Sequence, residues 1–486
     1  MTTSFQHHYG RLISLSMPCP GVSPADLLRH ARGQPRSFWE SARDGVAFAG
    51  MGIAVELMAW GANRFVEIEQ QARALFENAV MLDEREPLAA PRLFGGFAFH
   101  DDFVPDLAWA DFPPAHFVLP HYQLVRVRDS FWLTLNVHAP PGEDPRALAP
   151  DLHEALLAQI DHLQSAPPPL PPHSPVRLAY PMPFEQWARS VERIVRQINV
   201  GELKKVVLAR IAEASFDAPV DVDSALACLA QRYPDTYRFL FEPRPGRAFF
   251  GATPELLAQV EGDRVTTMAL AGSIRRGATP DEDERLALAL LDSAKDRHEH
   301  QIVVDEVRNR LAPLTRRLDV GATDVMRLSN IQHLHTPISG VLREPRGILP
   351  IIATLHPTPA LGGEPRAAAM RLIAELEPAP RGWYAAPVGW IDRRLDGQFG
   401  VAIRSAVVQA TRAWLYAGAG IVAASDPQRE WDETNLKFRP MLEGLGHTDR
   451  HGLGHLVGTR IATDTTDRHG LGHTDRHGYD GSPQIK

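Results

Sequence analysis

Apolar residues return every three to four positions along FEQWARSVERIVRQINVGELKKVVLAR, where Trp187, Val191, Ile194, Val195 and Ile198 fall on one side of a helix. Gly201 marks its stop, and VVLAR beyond it has the unbroken apolar character of a buried strand. Both kinds of pattern run along the whole chain. In the first 163 residues FGGFAF, HYQLVRV and FWLTLNV read as strands, and ENAVMLDE and DLHEALLAQIDHLQ as helical. Farther on, RFLFE, AFFGA, VTTMAL, GWIDR, FGVAIRSAVVQ and WLYAGAGIV read as strands, separated by helices around 281–312, 364–377 and 428–443. The pattern predicts a mixed α/β fold.

Two stretches break it. SAPPPLPPHSP, residues 165–175, suits neither a helix interior nor a central strand and reads as a stiff extended connection. The last 40 residues repeat HTDRHG and DRHGLGH without any packable apolar set. The expected organisation is therefore an N-terminal part (1–164), a Pro-rich connection (165–182), a main region (183–445) and a low-complexity tail (446–486), expected to be disordered. The tail's histidines admit a transition-metal reading, but their spacing fits no defined ligand set.

Composition narrows the function. With 486 residues and 44% hydrophobic content the chain has ample material for a core, while 51 basic against 59 acidic side chains, a formal −8, leave no basic footprint for nucleic acid. No apolar run is long enough to span a bilayer. Only Cys19 and Cys228 are present, too few for a disulfide framework, and LISLSMPCPG near the start is broken by prolines, so a cytoplasmic location is expected. An anionic substrate must then be gripped by local cations.

Candidate chemistry lies in two carboxylate pairs, Asp296 with Glu299 and Glu430 with Glu433, each three residues apart in a helix-like context. Such spacing puts both acids on one helical face, so two helices brought together offer four carboxylates to a hard cation, for which Mg²⁺ fits best. The alternative for any single pair is a solvated acidic face. Lys437, one turn beyond Glu433, adds a cation to the same face. A rival motif, GAGIVA at 418–423, mimics a dinucleotide-binding turn, but the next candidate helix begins only near Asp426 and Pro427.

Nine blocks in fixed order carry a family resemblance: KVVLAR (205–210), FFGATPELL (249–257), LAGSIRRG (270–277), DRHEH (296–300), IQHLHTPISG (331–340), LHPTPALGGEP (355–365), VGWIDRRLDGQFGVAIRSA (388–406), LYAGAGIV (415–422) and EWDETNLK (430–437). Together they resemble the chorismate-utilising enzymes, the isochorismate synthases above all, from about 183 to 445. The resemblance implies one large α/β (α+β) unit of two packed antiparallel sheets with flanking helices and the site between them. The Pro-rich connection then divides subdomains rather than independent domains.

It also implies roles. Water adds at C2 of chorismate and the C4 hydroxyl leaves, which needs a base, an acid and a clamp for two carboxylates. Lys205 stands for the base and Glu255 for the acid, a carboxyl whose pKa burial beside Leu256 and Leu257 would raise. Glu299 and Glu433 would bind Mg²⁺, with Asp296 and Glu430 reaching it directly or through water. Arg404 suits the enolpyruvyl carboxylate, helped by Lys437 and by backbone N–H groups of Gly418, Ala419, Gly420 and Ile421. His333 lies near the ring by resemblance, its alternative being a structural histidine, and Gly272 and Ala360 belong to the substrate-binding set. Lys205 stands where anthranilate synthases carry glutamine, Ala271 where many aminodeoxychorismate synthases carry lysine, and Ala360 where aminating and salicylate-forming relatives tend to carry threonine. Isochorismate is therefore the expected product, with salicylate synthase as the alternative and no glutamine amidotransferase subunit as partner. Menaquinone synthesis is the preferred pathway over a catechol siderophore.

Overall fold

The computed structural model describes residues 10–447 apart from 84, 140–142, 166 and 171–173. The expected tail from 448 onward lies outside the described residues.

Two large sheets make up the fold. One has 13 strands and the other 10. Every pairing among the described strands is antiparallel except Leu12–Pro18 with Val80–Met81. Strands from the first 140 residues sit in both sheets: Arg36–Ser41 pairs with Tyr237–Arg244, and Arg92–Phe97 pairs with Pro387–Asp392. The described residues of the Pro-rich stretch form neither helix nor strand.

Alternation along the strands explains why two sheets stack. Trp39 and Phe48 point from the larger sheet, and Phe94 and Trp390 from the smaller one, into a shared layer, while Phe97, Phe117 and Phe399 take the smaller sheet's other face, where Phe97 stacks on Phe65 of the helix Arg64–Glu77. Trp39 Nε1 donates across the shared layer to Gln398 Oε1 at 2.9 Å. The neighbours Phe38, Ala47 and Ala49 face the other way, under the helices Pro24–His30, Ala149–Leu163, Val222–Arg232 and Pro427–Gly444. Each fully buried large apolar side chain contributes about 1.5–3 kcal/mol, whereas an exposed ion pair is worth about 0–1 kcal/mol. These apolar layers, not the surface ion pairs, therefore hold the sheets in place.

The amphipathic helix Phe184–Asn199 buries Trp187, Val191 and Ile194 as its spacing predicts. Trp187 Nε1 donates to Pro427 O at 3.1 Å, pinning the start of the Pro427–Gly444 helix. From the strand Lys205–Ser215, Arg210 lies with Cζ 3.6 Å from the centre of the Trp431 ring and donates to Thr434 Oγ1 at 2.7 Å. These contacts fix the rotation of that helix, so the adjacent face bearing Glu430, Glu433 and Lys437 turns inward.

Three expectations need correction. ENAVMLDE is not helical: the helix Arg64–Glu77 stops there and Val80–Met81 is a strand. The helix expected over 281–312 is two, Pro280–Asp292 and Ala294–Leu311, because Ser293 leaves helical geometry and caps the second. FGVAIRSAVVQ is not one strand. Gly397–Val401 lies in the smaller sheet and Ser405–Gln409 in the larger, the chain crossing between them at Arg404, whose φ is +51°. Apolar residues on both sides of Arg404 cannot reveal which sheet each half joins.

Candidate active site

Arg404 has a counterpart. The strand Arg247–Thr253 in the larger sheet also gives way to Leu256–Glu261 in the smaller, and Glu255 sits at that crossing. The two crossings are neighbours: Ala252 N donates to Arg404 O at 3.0 Å and Val401 N to Glu255 O at 3.0 Å. The sheets part here, and the gap between them is a cleft of about 650 Å³ counting its open mouth. Both side chains line it.

A third wall comes from the paired strands Arg264–Arg275 and Ile331–Leu342. Their register slips between Ala271 and Ser273, and Gly272 supplies the bulge with a φ of +74°. That bulge turns Ser273 toward His333 and Glu433, with Oγ 3.1 Å from His333 Nδ1 and 3.3 Å from Glu433 Oε1. Arg404 Nη2 approaches His333 Nε2 at 3.4 Å. Since a guanidinium only donates, Nε2 must accept, the hydrogen sits on Nδ1, and Gly272 O accepts it at 3.1 Å. Burial, reinforced by Arg404 and Lys437, pushes His333 down to about 3, so it is neutral.

The two helices bring the acids. Glu299 and Glu433 line the cleft; Asp296 and Glu430 stand behind them. Each acid has a local partner: Lys205 Nζ is 2.9 Å from Glu299 Oε1, Lys437 Nζ is 2.5 Å from Glu433 Oε1, and Lys295 Nζ is 2.8 Å from Glu430 Oε1. Asp296 accepts a short hydrogen bond from Ser293 in the helix cap. Burial raises Glu430, and the charge of Glu433 adds to it. Burial likewise raises Asp296, with Glu299 and Glu433 adding to it against Ser293 and Lys295. Burial pushes Glu433 up, but Lys437, joined by Lys295 and His333, holds it low. As placed, no group of three or more His, Cys, Asp or Glu side chains among the described residues is disposed to hold a metal ion. The donor set nevertheless fits a hard divalent cation, being carboxylates that are buried and repel one another across one cleft.

Glu255 is the exceptional acid. Burial lifts it to about 7 in spite of the opposing pull of Lys205, Lys437 and Arg404. Lys205 is 1% exposed and lies behind Glu299 rather than in the lining.

Gly418 and Gly420 line the cleft, as does Ala360, but Ala419 does not. Ladder geometry gives the reason. Ala209 N bonds Glu377 and Val207 N bonds Gly362 O, so their partners Gly418 and Gly420 occupy non-hydrogen-bonded sites and turn their N–H groups away from the Lys205–Ser215 strand. Ala419 and Ile421 alternate with them and face that strand, which corrects their expected role as donors. Lys437 Nζ donates to Gly418 O at 2.9 Å. A Cβ on Gly420 would sit against the Glu299 carboxylate and Lys205 Cε. Sequence reading missed Ser273, Tyr384 and Tyr416 in the lining. Ser273 was within reach, standing beside Gly272 in the LAGS block; nothing in the local pattern distinguishes the two tyrosines from core residues.

The description "Chorismate binding enzyme" matches residues 2–446. The chain belongs to the chorismate-binding enzymes. Among relatives of this family, the salicylate biosynthesis isochorismate synthase of Pseudomonas aeruginosa is 39% identical over 85% of this chain and 85% of its own length. An isochorismate synthase of Bacillus subtilis is 34% identical over 90% of this chain and 93% of its own. The solved structure of the menaquinone-specific isochorismate synthase from Escherichia coli superposes with a TM-score of 0.75 at 26% identity, covering 91% of this chain and 96% of that one. Anthranilate synthase component I from Streptococcus pneumoniae, at 21% identity and a TM-score of 0.67 over 82% of this chain and 92% of its own, shares the fold. The chorismate-binding fold thus accounts for the paired sheets and the cleft where strands cross between them. GAGIVA is no dinucleotide turn, because its first four residues lie in an antiparallel strand, Arg412–Ile421.

Proposed function

We infer that this chain is an isochorismate synthase, a Mg²⁺-dependent isomerase that adds water at C2 of chorismate and releases the C4 hydroxyl. The observation that carries this reading is Glu255, a carboxyl lifted to about 7 on the wall that also presents Arg404. A carboxyl that keeps its proton near neutrality can hand it to a departing hydroxyl.

Arg404 takes the enolpyruvyl carboxylate with its planar fork, steadied by His333 Nε2. The N–H groups of Gly418 and Gly420, turned away from the Lys205–Ser215 strand, supply further donors. Lys205 accepts the proton of the attacking water as the new C2–O bond forms; the ring double bonds shift, the C4–O bond breaks, and Glu255 protonates the leaving oxygen. The amine is ion-paired to Glu299, so that pair must loosen and Lys205 must first lose its own proton, since only the neutral amine can accept one. Glu299 and Glu433 would hold Mg²⁺, with Glu430 and Asp296 behind them. When bound, the ion neutralises the ring carboxylate of the substrate. No partner subunit is needed to deliver ammonia, and the chain works in the cytoplasm.

Relatives named for menaquinone and for salicylate biosynthesis share this chemistry. We assign the product to menaquinone synthesis; deletion of the gene should deplete menaquinone, and an intact quinone pool with lost siderophore would reverse that assignment. For the reaction itself, purified protein with chorismate and Mg²⁺, without ammonium, should give an equilibrating mixture of chorismate and isochorismate. Stoichiometric pyruvate with salicylate would make it a salicylate synthase instead.

A further inference from the structure

On the outer face of the larger sheet, away from the cleft, one row of side chains crosses four adjacent strands in register: Arg238, Glu40, Ala47, Arg126. Residues directly opposite in antiparallel strands share a face. Ala47 is too short to fill its place in the row, and Ala49 repeats the gap in the next row between Phe38 and Leu124. The helices Pro24–His30 and Val222–Arg232 pass over this shallow strip without closing it. What remains is a groove of about 860 Å³ counting its open side. Its walls are mainly apolar, from Phe38, Leu28 and Leu226.

Its charge is unbalanced. Arg126 Nη2 and Arg238 Nη2 share the single carboxylate of Glu40, at 2.7 Å and 2.5 Å. Arg238 Nη1 is buried and has no hydrogen-bond partner among the described residues, nor has Arg32 Nη2 at the rim. An unmet buried donor carries its full desolvation penalty, and an anion reaching it removes that penalty and gains a charge-assisted bond.

We propose that this groove binds a small amphipathic carboxylate, its apolar body over Ala47 between the two helices and its carboxylate on Arg238. Length favours a chain or single ring over a macromolecule, because the apolar strip ends at arginines on both sides. Ala227 lies exposed on the helix wall of the groove, so a large side chain there fills the space without entering the core.

Octanoate is the probe, measured by calorimetry on the full chain beside octan-1-ol and octylammonium. Octanoate should bind with one-to-one stoichiometry and the two controls at least about tenfold more weakly. Ala227→Trp and Arg238→Met should each weaken octanoate at least about tenfold, with Ala227→Trp unfolding at the parental temperature and keeping parental turnover. Octanol binding as tightly as octanoate, or Ala227→Trp binding octanoate like the parent, overturns the proposal.

Discussion

The ammonium of Lys205 lies 2.9 Å from the carboxylate of Glu299, with both packed against Gly420. The base and a metal-binding acid of the proposed reaction are thus joined in one buried pair. Whatever draws on Glu299 also acts on Lys205, which gives the catalytic assignments their sharpest tests.

Lys205→Ala should lower kcat by roughly 10²–10⁴-fold while chorismate and Mg²⁺ still bind, because the amine acts in the transition state and otherwise only neutralises Glu299. Turnover within a few-fold of the parent would remove Lys205 from the base role.

Glu299→Ala and Glu433→Ala should each lose affinity for both Mg²⁺ and chorismate, read by titration calorimetry. EDTA should silence the parent, and added Mg²⁺ should restore the parent alone. Undiminished turnover in chelator would sink the metal assignment.

Gly420→Ala tests the close approach. Its φ is unremarkable, so no backbone strain arises, but the new methyl meets the Lys205–Glu299 pair. We expect kcat/KM to fall roughly 10–100-fold with the unfolding transition still cooperative. Gly418→Ala, whose nearest cleft neighbour is Tyr384 Oη at 3.3 Å, should be milder. Equal effects would show that the pair is not what Gly420 protects.

Glu255 links activity and stability to pH. Its folded pKa, about 7, stands above the ordinary 4.5, so the folded state holds the proton more tightly than the unfolded one. The resulting stabilisation is fully present below pH 4.5 and is lost as pH rises through about 7. At pH 8 the parent therefore carries a buried carboxylate costing on the order of 3 kcal/mol. Glu255→Gln should bind chorismate but not expel the hydroxyl, and it should melt higher than the parent at pH 8 yet not at pH 4.5. Parental rates, or equal melting at pH 8, would show that Glu255 is neither the donor nor a strained acid.

Much of this was legible in the chain itself. The spacing of Trp187, Val191 and Ile194 specifies a helix with one buried side, since period and burial are the same fact in a helix. The three-residue separation in Asp296/Glu299 and Glu430/Glu433 specifies acids on one face for the same reason. Local order also named Lys437 as the neighbour of Glu433, an intrahelical pair that needs no tertiary contact.

Tertiary structure decided which of those residues meet. Lys205 finds Glu299, 94 positions away in the chain, only because a strand and a helix converge on Gly420. FGVAIRSAVVQ looks like one strand from the sequence, and nothing local sets Glu255, after Pro254, beside Arg404; only sheet pairing turns the two crossings into the wall of a cleft. Burial, which lifts Glu255 and neutralises His333, is a property of the whole packed molecule. A residue type and its spacing set what a side chain can do; the dielectric and the charges around it, assembled from distant segments, set whether it does so at neutral pH.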